Sequence, residues 1–378
     1  MNFDFPQGKE VYRTSGGLQL CGDSLELLAH LPDQSVDLIM TSPPFALLRQ
    51  KSYGNKEQDQ YVEWLGRFGE AAYRVLKDSG SFVLDLGGAY KRGKPVRSLY
   101  NYHVLLDFCD RLGYELAEEF FWFNPSKLPS PIEWVNKRKI RAKDAVNTVW
   151  WFSRSAEPKA DVTRVLVPYS KRMKTLLENP NRFYQPKERP SGHDIARAFA
   201  RDNGGAIPSN LLQIPNTESN TSYLRLCNML GRRSHPARFP SALPQFFIQF
   251  LTDPEDLVVD LFSGSNTTGH AAEGLGRRWL SMDISREYTA LSALRFMNDW
   301  SDAEVRQTIM RLDTGEVIDI YLGLLFQAAW QLDIKVAGSL HPSEPTSRGT
   351  RSGPWRRSRS DPGRLAPRSR RSSTMQSD

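Results

Sequence analysis

The sequence predicts an α/β fold whose sheet is largely parallel. Ser35–Met40 has four apolar positions and follows the polar cluster Pro32–Gln34, which is typical of a short strand buried on both faces. Several further segments of this kind are followed by a glycine, proline or acidic turn and then by a helical pattern. Open α/β sheets bind ligands at the carboxyl ends of such strands, so these turns are the first candidates for a functional site.

Strands and helices alternate over most of the chain. Leu18–Cys21 is mostly apolar and precedes a polar turn in which Asp23 or Ser24 is expected to cap the next helix. A polar loop, Arg49–Asp59, separates the second strand from an amphipathic helix. The predicted strands are Leu18–Cys21, Ser35–Met40, Gly80–Gly88, Tyr114–Phe123, Asp144–Ser153, Asp256–Phe262 and Arg278–Asp283. The predicted helices are Leu25–Leu31, Tyr61–Leu76, Leu99–Leu112, Leu243–Leu251, one that includes His270–Ala272, Arg286–Phe296 and Ala303–Leu312.

The positive charge of the chain is concentrated at its C-terminal end. The chain has 378 residues, 39% of them hydrophobic, which is enough for one large domain with an inserted segment. Its formal net charge of +7 suggests a nucleic-acid partner. However, Ser339–Asp378 has nine arginines and three acidic residues, so the rest of the chain carries only +1. A DNA-binding surface in the folded part must therefore come from local clustering of charge.

The cysteine and histidine patterns exclude several classes of site. Cys21, Cys109 and Cys227 are too widely spaced for a disulfide framework or a metal knuckle, and the histidines lack ligand spacing. We therefore expect no metal. The first ten residues have no apolar leader region, and no apolar run is long enough to span a membrane. These features predict a soluble cytoplasmic protein without a membrane partner.

The turn Ser42-Pro43-Pro44-Phe45 follows the second predicted strand. Its two prolines fix φ and remove two N–H donors, so the turn is stiff and the Pro43 carbonyl can accept a hydrogen bond from a ligand. The Ser42 hydroxyl is a second acceptor, and Phe45 adds an apolar face. Together they suit a flat ring that carries an NH2 group. Asp85 ends another strand at the same edge of the sheet, as a supporting carboxylate or as a simple turn former.

Two segments could contact nucleic acid. A basic loop lies between two predicted strands, and phosphate contacts are a reasonable use for it; its relevant residues are Lys137, Arg138, Lys139 and Arg141. From Arg154 to Ser234 the strand–helix alternation stops, which predicts an irregular insertion. Within it, Arg189, Ser191 and His193 could present donors and acceptors to base edges, although a solvent-exposed loop is the simpler interpretation.

The C-terminal half contains a cofactor-like pattern. The strand at Asp256–Phe262 continues into Ser263-Gly264-Ser265-Asn266-Thr267-Thr268-Gly269, and Asp283 ends the next strand. Asp283 comes 19 residues after Gly264, a spacing that suits an acid accepting hydrogen bonds from the ribose of an adenosine-type cofactor. The G-x-G-x-x-G pattern of dinucleotide dehydrogenases is missing.

These motifs carry a family resemblance. Ser42–Phe45 resembles the catalytic motif of the amino-methylating DNA methyltransferases. Asp260–Gly269 resembles their first S-adenosyl-L-methionine motif, and His235–Pro240 resembles the segment that covers the methionine end of that cofactor. The order, with the catalytic motif first and the cofactor motif last, is that of the β-group cytosine-N4 enzymes.

The resemblance implies a Rossmann-like, S-adenosylmethionine-dependent methyltransferase sheet in permuted order, with an inserted irregular target-recognition region. It also implies methylation of cytosine N4 in double-stranded DNA, at the palindrome CAGCTG, by a cytoplasmic bacterial enzyme. That methylation would protect the DNA from a cognate restriction endonuclease, which acts on the same site without binding the enzyme.

By the same resemblance, residues are assigned to catalysis, cofactor and DNA, and none to a metal. The catalytic residues are Ser42, Pro43, Pro44, Phe45 and Asp85. The cofactor residues are Asp23, His235, Arg238, Phe239, Asp260, Phe262, Ser263, Gly264, Ser265, Asn266, Thr267, Thr268 and Asp283. The DNA-binding residues are Lys137, Arg138, Lys139, Arg141, Arg189, Ser191 and His193. The expected divisions are 1–153 for the catalytic half, 154–234 for target recognition, 235–320 for the cofactor half, 321–338 for a surface helix and 339–378 for a disordered basic tail.

Three alternatives remain at this stage. Adenine-N6 methylation could use the same scaffold, although serine at position 42 favours cytosine. A glutamine methyltransferase of release factors shares an Asn-Pro-Pro-Tyr turn, but its cofactor motif comes first in the chain. A non-catalytic DNA-binding protein could retain the fold. Methylation of cytosine C5 is not expected, because none of the three cysteines follows a proline.

Overall fold

The computed structural model describes residues 3–46, 60–180, 201–218 and 221–321, all of which lie in one compact unit, Met1–Gln327. Four sequence predictions fall outside these ranges. They are the loop Arg49–Asp59, the base-reading candidates Arg189, Ser191 and His193, almost all of the helix predicted at 321–338, and the tail 339–378.

The described residues form one mixed sheet of ten strands. Its strand order is β10-β1-β2-β9-β8-β3-β4-β6-β5-β7. The five strands from β2 to β4 are mutually parallel, whereas β6 runs antiparallel to both β4 and β5. The strands are β1 Glu10–Arg13, β2 Gly17–Cys21, β3 Val36–Thr41, β4 Leu76–Leu86, β5 Glu115–Phe123, β6 Val146–Ser153, β7 Leu211–Gln213, β8 Leu257–Asp260, β9 Arg278–Asp283 and β10 Ile318–Asp319.

Helices cover both faces of this sheet. Side chains of β3 alternate between two apolar cores, with Leu38 and Met40 in one and Ile39 in the other. Helices α1 to α3 pack on the Ile39 face, and α5 to α9 pack on the opposite face. The prediction of a strand buried on both sides is therefore confirmed. The helices are α1 Ser24–Leu28, α2 Tyr61–Val75, α3 Tyr100–Leu106, α4 Lys171–Glu178, α5 Ser222–Met229, α6 Ala242–Leu251, α7 Thr267–Gly274, α8 Arg286–Ser292 and α9 Asp302–Asp313.

The permuted order is closed by pairing between distant strands. β2 lies parallel to β9, with Cys21 opposite Asp283, and β3 lies parallel to β8, with Leu38 opposite Val258. The N-terminal strands thus lie beside the C-terminal strands in one sheet. Since the strands are parallel, the turns after β3 and β8 emerge at the same edge of the sheet.

One sequence prediction needs correction. The segment from Arg154 to Ser234 is not wholly irregular, because β7 adds to the sheet beside β5 and α5 places Leu226 in the core. At the other edge of the sheet, β10 pairs with β1, and Ile318 lies opposite Tyr12. Both β7 and β10 are very short, and a short strand gives little periodicity in a sequence.

The three cysteines are free thiols. In the described ranges, no helix has both the length and the apolar character that crossing a bilayer requires.

Candidate active site and cofactor cleft

A cleft of about 690 Å³ lies at the carboxyl ends of the central strands. The Ser42–Phe45 turn after β3 and Asp85 of β4 form part of one wall. Phe262–Ser265 after β8 and Asp283 of β9 form another part. The structure thus brings together two motifs that are more than two hundred residues apart in the chain. The sequence-predicted residues that line the cleft are Asp23, Ser42, Pro43, Pro44, Phe45, Asp85, His235, Arg238, Phe239, Phe262, Ser263, Gly264, Ser265, Thr267 and Asp283.

Ser42 and Asp85 form a hydrogen-bonded pair in the cleft. The Ser42 hydroxyl donates to Asp85 Oδ2 at 3.0 Å, and Asn147 Nδ2 donates to Asp85 Oδ1 at 3.0 Å. Both carboxylate oxygens are therefore engaged and their orientation is fixed. The Tyr61 hydroxyl donates to the Pro44 carbonyl at 2.9 Å and holds the end of the double-proline turn.

Burial changes the acidity of Asp85. The residue is only 2% exposed, and burial raises its pKa to about 6. The hydrogen bonds from Asn147 and Ser42 and the positive charge of Lys127 act in the opposite direction. A carboxyl group with this pKa can exchange a proton near neutral pH, which an ordinary surface aspartate cannot do efficiently.

Gly87 makes room for Phe45. A Cβ at position 87 would lie 2.4 Å from the Phe45 ring, so a side chain there would displace it. The Gly87 carbonyl also accepts a hydrogen bond from the buried Tyr100 hydroxyl. Gly87, directly after β4, thereby helps to fix the position of the Phe45 ring, the apolar face that the sequence predicts beside Ser42.

Asp283 anchors the cofactor-like loop. Its Oδ2 accepts from the Gly264 N–H at 2.8 Å, and its Oδ1 accepts from the Ser285 N–H at 2.9 Å. Burial raises the pKa of Asp283, while these two backbone donors lower it. Gly264 has a φ of +50°, and a Cβ there would approach the His235 ring to 3.0 Å. Glycine is therefore required by both the backbone and the packing.

Asp260, Asn266 and Thr268 lie beneath the cleft and not in its wall. The Asp260 carboxylate accepts from the hydroxyls of Thr41 and Thr268, each at 2.7 Å. Asn266 caps α7 by accepting from the Gly269 N–H at 3.0 Å. These side chains are buried and bond to the protein itself, and they hold the cofactor-like loop in position.

His235 and Arg238 form one end of the cleft. His235 Nδ1 lies 2.7 Å from the Ala237 carbonyl, and the ring meets Tyr288 edge to face. A carbonyl can only accept, so Nδ1 carries a proton; burial lowers the pKa of His235 to about 4, so the ring is neutral. Arg238 donates to the His235 carbonyl and to Ser234 Oγ. This segment is fixed by its own hydrogen bonds.

Arg295 supports the cofactor-like loop and was missed by sequence reasoning. Its Nε donates to the Ser265 carbonyl at 2.5 Å, and its Nη2 donates to the hydroxyls of Ser265 and Thr267 at 2.9 and 2.8 Å. Its guanidinium lies over the Tyr223 ring. An arginine within an apolar helical pattern gives no motif signal, so only the structure reveals this role.

Aromatic and apolar side chains complete the cleft. Phe262 packs against Phe68 and Trp64, with ring centroids 4.8 and 5.6 Å apart respectively. Trp122 also lines the cleft, and its indole N–H donates to the Ile214 carbonyl at 2.8 Å. The sequence indicated Trp64 and Phe68 only as the apolar face of a helix. Together they give the cleft an apolar surface.

The basic loop between β5 and β6 lies beside a second basic segment. Arg141 donates to the Pro95 carbonyl through Nε at 3.0 Å and Nη2 at 2.7 Å. Position 95 belongs to a turn in which Lys91, Arg92 and Lys94 are exposed. Lys139 is exposed as well. Nothing in the sequence marks the residues at 91–94 as part of this surface, because their proximity to 137–141 arises only on folding.

Two of the predicted DNA-binding residues interact with their own loop. Lys137 pairs with Glu133 at 3.2 Å, and Arg138 lies over the Trp134 ring. Both contacts are on the surface, so they cost little to exchange for a phosphate. Within the described ranges, no cluster of three or more histidine, cysteine or acidic side chains is arranged to hold a metal ion.

The sequence pattern of a protein family described as DNA methylase (N6_N4_Mtase) matches residues 36–294. The chain belongs to this DNA methylase family. It is 58% identical over 313 residues to the type II methyltransferase M.PvuII of Proteus hauseri, which covers 82% of this chain and 93% of that protein. It is 25% identical over 276 residues to the type II methyltransferase M.BglII of Bacillus subtilis, over 72% of this chain and 66% of that protein.

A solved structure of the same kind matches closely. The PvuII DNA methyltransferase (cytosine-N4-specific) has a TM-score of 0.69 and 49% identity, over 84% of this chain and 99% of that chain. The predicted fold class, the assignment as a DNA methyltransferase and the S-adenosyl-L-methionine cofactor are thus confirmed. The release-factor alternative is not supported, because the matching family is one of DNA methylases.

Proposed function

We propose that this DNA methylase transfers the methyl group of S-adenosyl-L-methionine to the exocyclic N4 of cytosine in double-stranded DNA. The observation that carries the proposal is the shared cleft, in which the Ser42–Asp85 pair faces the Gly264–Asp283 loop. Similarity to a protein named as cytosine-N4-specific supports cytosine as the target base. We further propose CAGCTG as the site and protection from a cognate restriction endonuclease as the purpose, which would place the enzyme with the DNA in a bacterial cytoplasm.

The cleft has the features that the cofactor requires. Each oxygen of Asp283 accepts one backbone N–H and keeps a lone pair, so the carboxylate can also accept from the two ribose hydroxyls. Phe262 supplies an apolar surface for the adenine ring, and exposed Ile284 lies beside it in the cleft. The other lining residues of the cofactor half would enclose the methionine end: Asp23, His235, Arg238, Phe239, Ser263, Ser265 and Thr267. When bound, the cofactor supplies an activated methyl group on a sulfonium.

The Ser42 corner would activate the target amine. The lone pair of a cytosine amine is delocalised into the ring, so this nitrogen is a poor nucleophile. The Ser42 hydroxyl donates its hydrogen bond to Asp85, so the lone pairs of Ser42 Oγ can accept one amine N–H. The Pro43 carbonyl would accept the other amine N–H. These two acceptors favour a pyramidal amine and direct its lone pair into the cleft.

Asp85 would take up the proton that the amine loses. Ser42 Oγ can accept that proton while its own passes to Asp85 Oδ2, 3.0 Å away. A pKa of about 6 allows the carboxylate to accept at neutral pH and to release the proton afterwards. Asn147 keeps Oδ2 directed at Ser42 by holding Oδ1.

The target cytosine must leave the duplex to reach the Ser42–Phe45 turn. Extruding a base costs a few kcal/mol, which stacking on Phe45 and contacts to the base edge would offset. The exposed cations at 91–94 and 137–141 would bind the phosphate backbone nearby. We propose that 1–153 supplies the catalytic half, 235–320 the cofactor half, and 154–234 the recognition of the site.

The test is the product formed on cellular DNA. DNA from cells that express the protein should resist cleavage by an endonuclease specific for CAGCTG, and its nucleoside digest should contain N4-methylcytosine. Cells expressing Ser42→Ala are the matched control and should give neither result. N6-methyladenine in the digest would instead establish the adenine alternative. Resistance to cleavage at a different sequence would reject CAGCTG as the site but would leave the proposed reaction in place.

A further inference from the structure

Leu128 is an unusually exposed apolar side chain near the cleft. It is 81% exposed, the highest value among the large apolar side chains of the described residues. Single apolar residues on a surface are common and need no special explanation. The position of Leu128 is what distinguishes it.

The loop that carries Leu128 begins next to the part of the cleft that contains Ser42 and Asp85. It follows β5, whose Trp122 lines the cleft and pairs in register with Asn147 of β6, the residue bonded to Asp85. The residue before it, Lys127, is near enough to Asp85 for its charge to act on that carboxyl group. Leu128 therefore lies on the loop that leaves this part of the cleft, next to a lysine whose charge reaches Asp85.

The backbone on both sides of Leu128 is held in place. The Lys127 N–H donates to the Asn124 carbonyl at 3.2 Å, and Lys143 Nζ donates to the Pro125 and Lys127 carbonyls at 3.0 and 3.2 Å. Beyond Pro129, the Asp144 N–H donates to the Ser130 carbonyl at 2.9 Å. A side chain presented on a fixed backbone can enter a neighbouring structure without a further cost of ordering the loop.

The charge around Leu128 suits DNA. Lys127, Lys137, Arg138, Lys139, Arg141 and Lys143 share this loop with only two acidic residues, Glu133 and Asp144, each of which pairs with a cation. A duplex drawn to these cations would bring its base stack to the one large apolar side chain that projects most from the loop. A water-exposed leucine gains free energy when it enters the gap between bases.

We propose that Leu128 inserts into the DNA base stack and fills the space vacated by the target cytosine. The proposal rests on the proposed function and deepens it by naming the residue that stabilises the extruded state. Its contribution is needed only when the cytosine has to be removed from a stacked, paired position. A cytosine that lacks a pairing partner has already lost much of what holds it in the duplex.

The experiment compares two short duplexes with one CAGCTG site each. In one, the target cytosine is paired with guanine; in the other, it lies opposite an abasic position. Leu128→Ala should lower kcat/KM about tenfold or more on the paired duplex and by about twofold or less on the abasic one. Leu128→Met, which retains a long apolar side chain, should restore most of the activity on the paired duplex.

The control is Met310→Ala on α9, near the sheet edge formed by β10. Met310 is 64% exposed, and its replacement should leave both activities unchanged. Pyrrolocytosine at the target position adds a second measurement, since its fluorescence rises on unstacking; the rise should be smaller with Leu128→Ala than with the wild type.

Equal losses on both duplexes, or no loss on the paired one, would overturn the insertion of Leu128 while leaving the methyltransferase function intact. Absence of methyl transfer by the wild type on both duplexes would overturn the proposed function and the insertion with it.

Discussion

Replacing Asp85 by asparagine should change both the pH dependence of stability and the reaction. Burial raises the pKa of Asp85 from its usual 3.8 to about 6, so the folded protein holds this proton more tightly than the unfolded chain. Stability therefore falls as pH rises between these two values, because the folded state must then bury a charge. The difference corresponds to about 3 kcal/mol in the free energy of unfolding. This cost is absent below the lower value and complete above the higher one.

Asp85→Asn removes the charge and keeps the size of the side chain. Relative to the wild type, the variant should gain up to about 3 kcal/mol between pH about 4 and pH about 8. Urea unfolding of both proteins across this range measures the gain. Asp260 also has a pKa of about 6, so the slope of the wild type contains both groups and only the comparison isolates Asp85. The exposed Asp78→Asn serves as the matched control for replacing an aspartate of β4 by asparagine.

The same variant tests the chemistry. If Asp85 accepts the proton from Ser42, the kcat of the wild type should rise with pH, with an apparent pKa near 6. Asp85→Asn should lose most of the activity, and its remaining kcat should not follow this pH profile. A stability difference between the two proteins that is the same at every pH would refute the burial argument. A variant that retains the wild-type pH profile of kcat would refute the role as proton acceptor.

Three further predictions concern the cleft. Ser42→Ala should reduce methyl transfer steeply while cofactor binding persists; equal loss of both would make Ser42 structural. Asp283→Ala should weaken cofactor binding by about 1 to 3 kcal/mol in calorimetry, through loss of a charged hydrogen-bond acceptor, and an unchanged affinity would reject contact with the ribose. Gly87→Ala places a Cβ 2.4 Å from the Phe45 ring, so it should lower the free energy of unfolding by about 1 to 3 kcal/mol. It should also impair base methylation more than cofactor binding. A variant with the wild-type kcat would show that the ring can be displaced without loss of function.

The sequence was most informative where chemistry and secondary structure coincide. Ser42 and Asp283 each end a strand that is apolar enough to recognise, and parallel strands bring such ends to one edge. Asn147 and Arg295 could not be found in this way, because each acts through a neighbour that is distant in the chain. Asp260 belongs to a cofactor motif, yet its side chain is buried beneath the cleft and bonds to Thr41. A sequence motif does not show whether a side chain points into the cleft or into the core.

The hydrogen bond from Thr41 to Asp260 joins the end of β3 to the end of β8 beneath the cleft, and Thr268 holds the other oxygen of the same carboxylate. Together with the direct pairing of β3 and β8, this bond places the turn after β3 beside the loop after β8 at the spacing of adjacent strands, about 4.8 Å, whatever the length of the intervening chain. Under the proposed division of the chain, a change of length or sequence within 154–234 would therefore alter the DNA site that is recognised without moving these two loops.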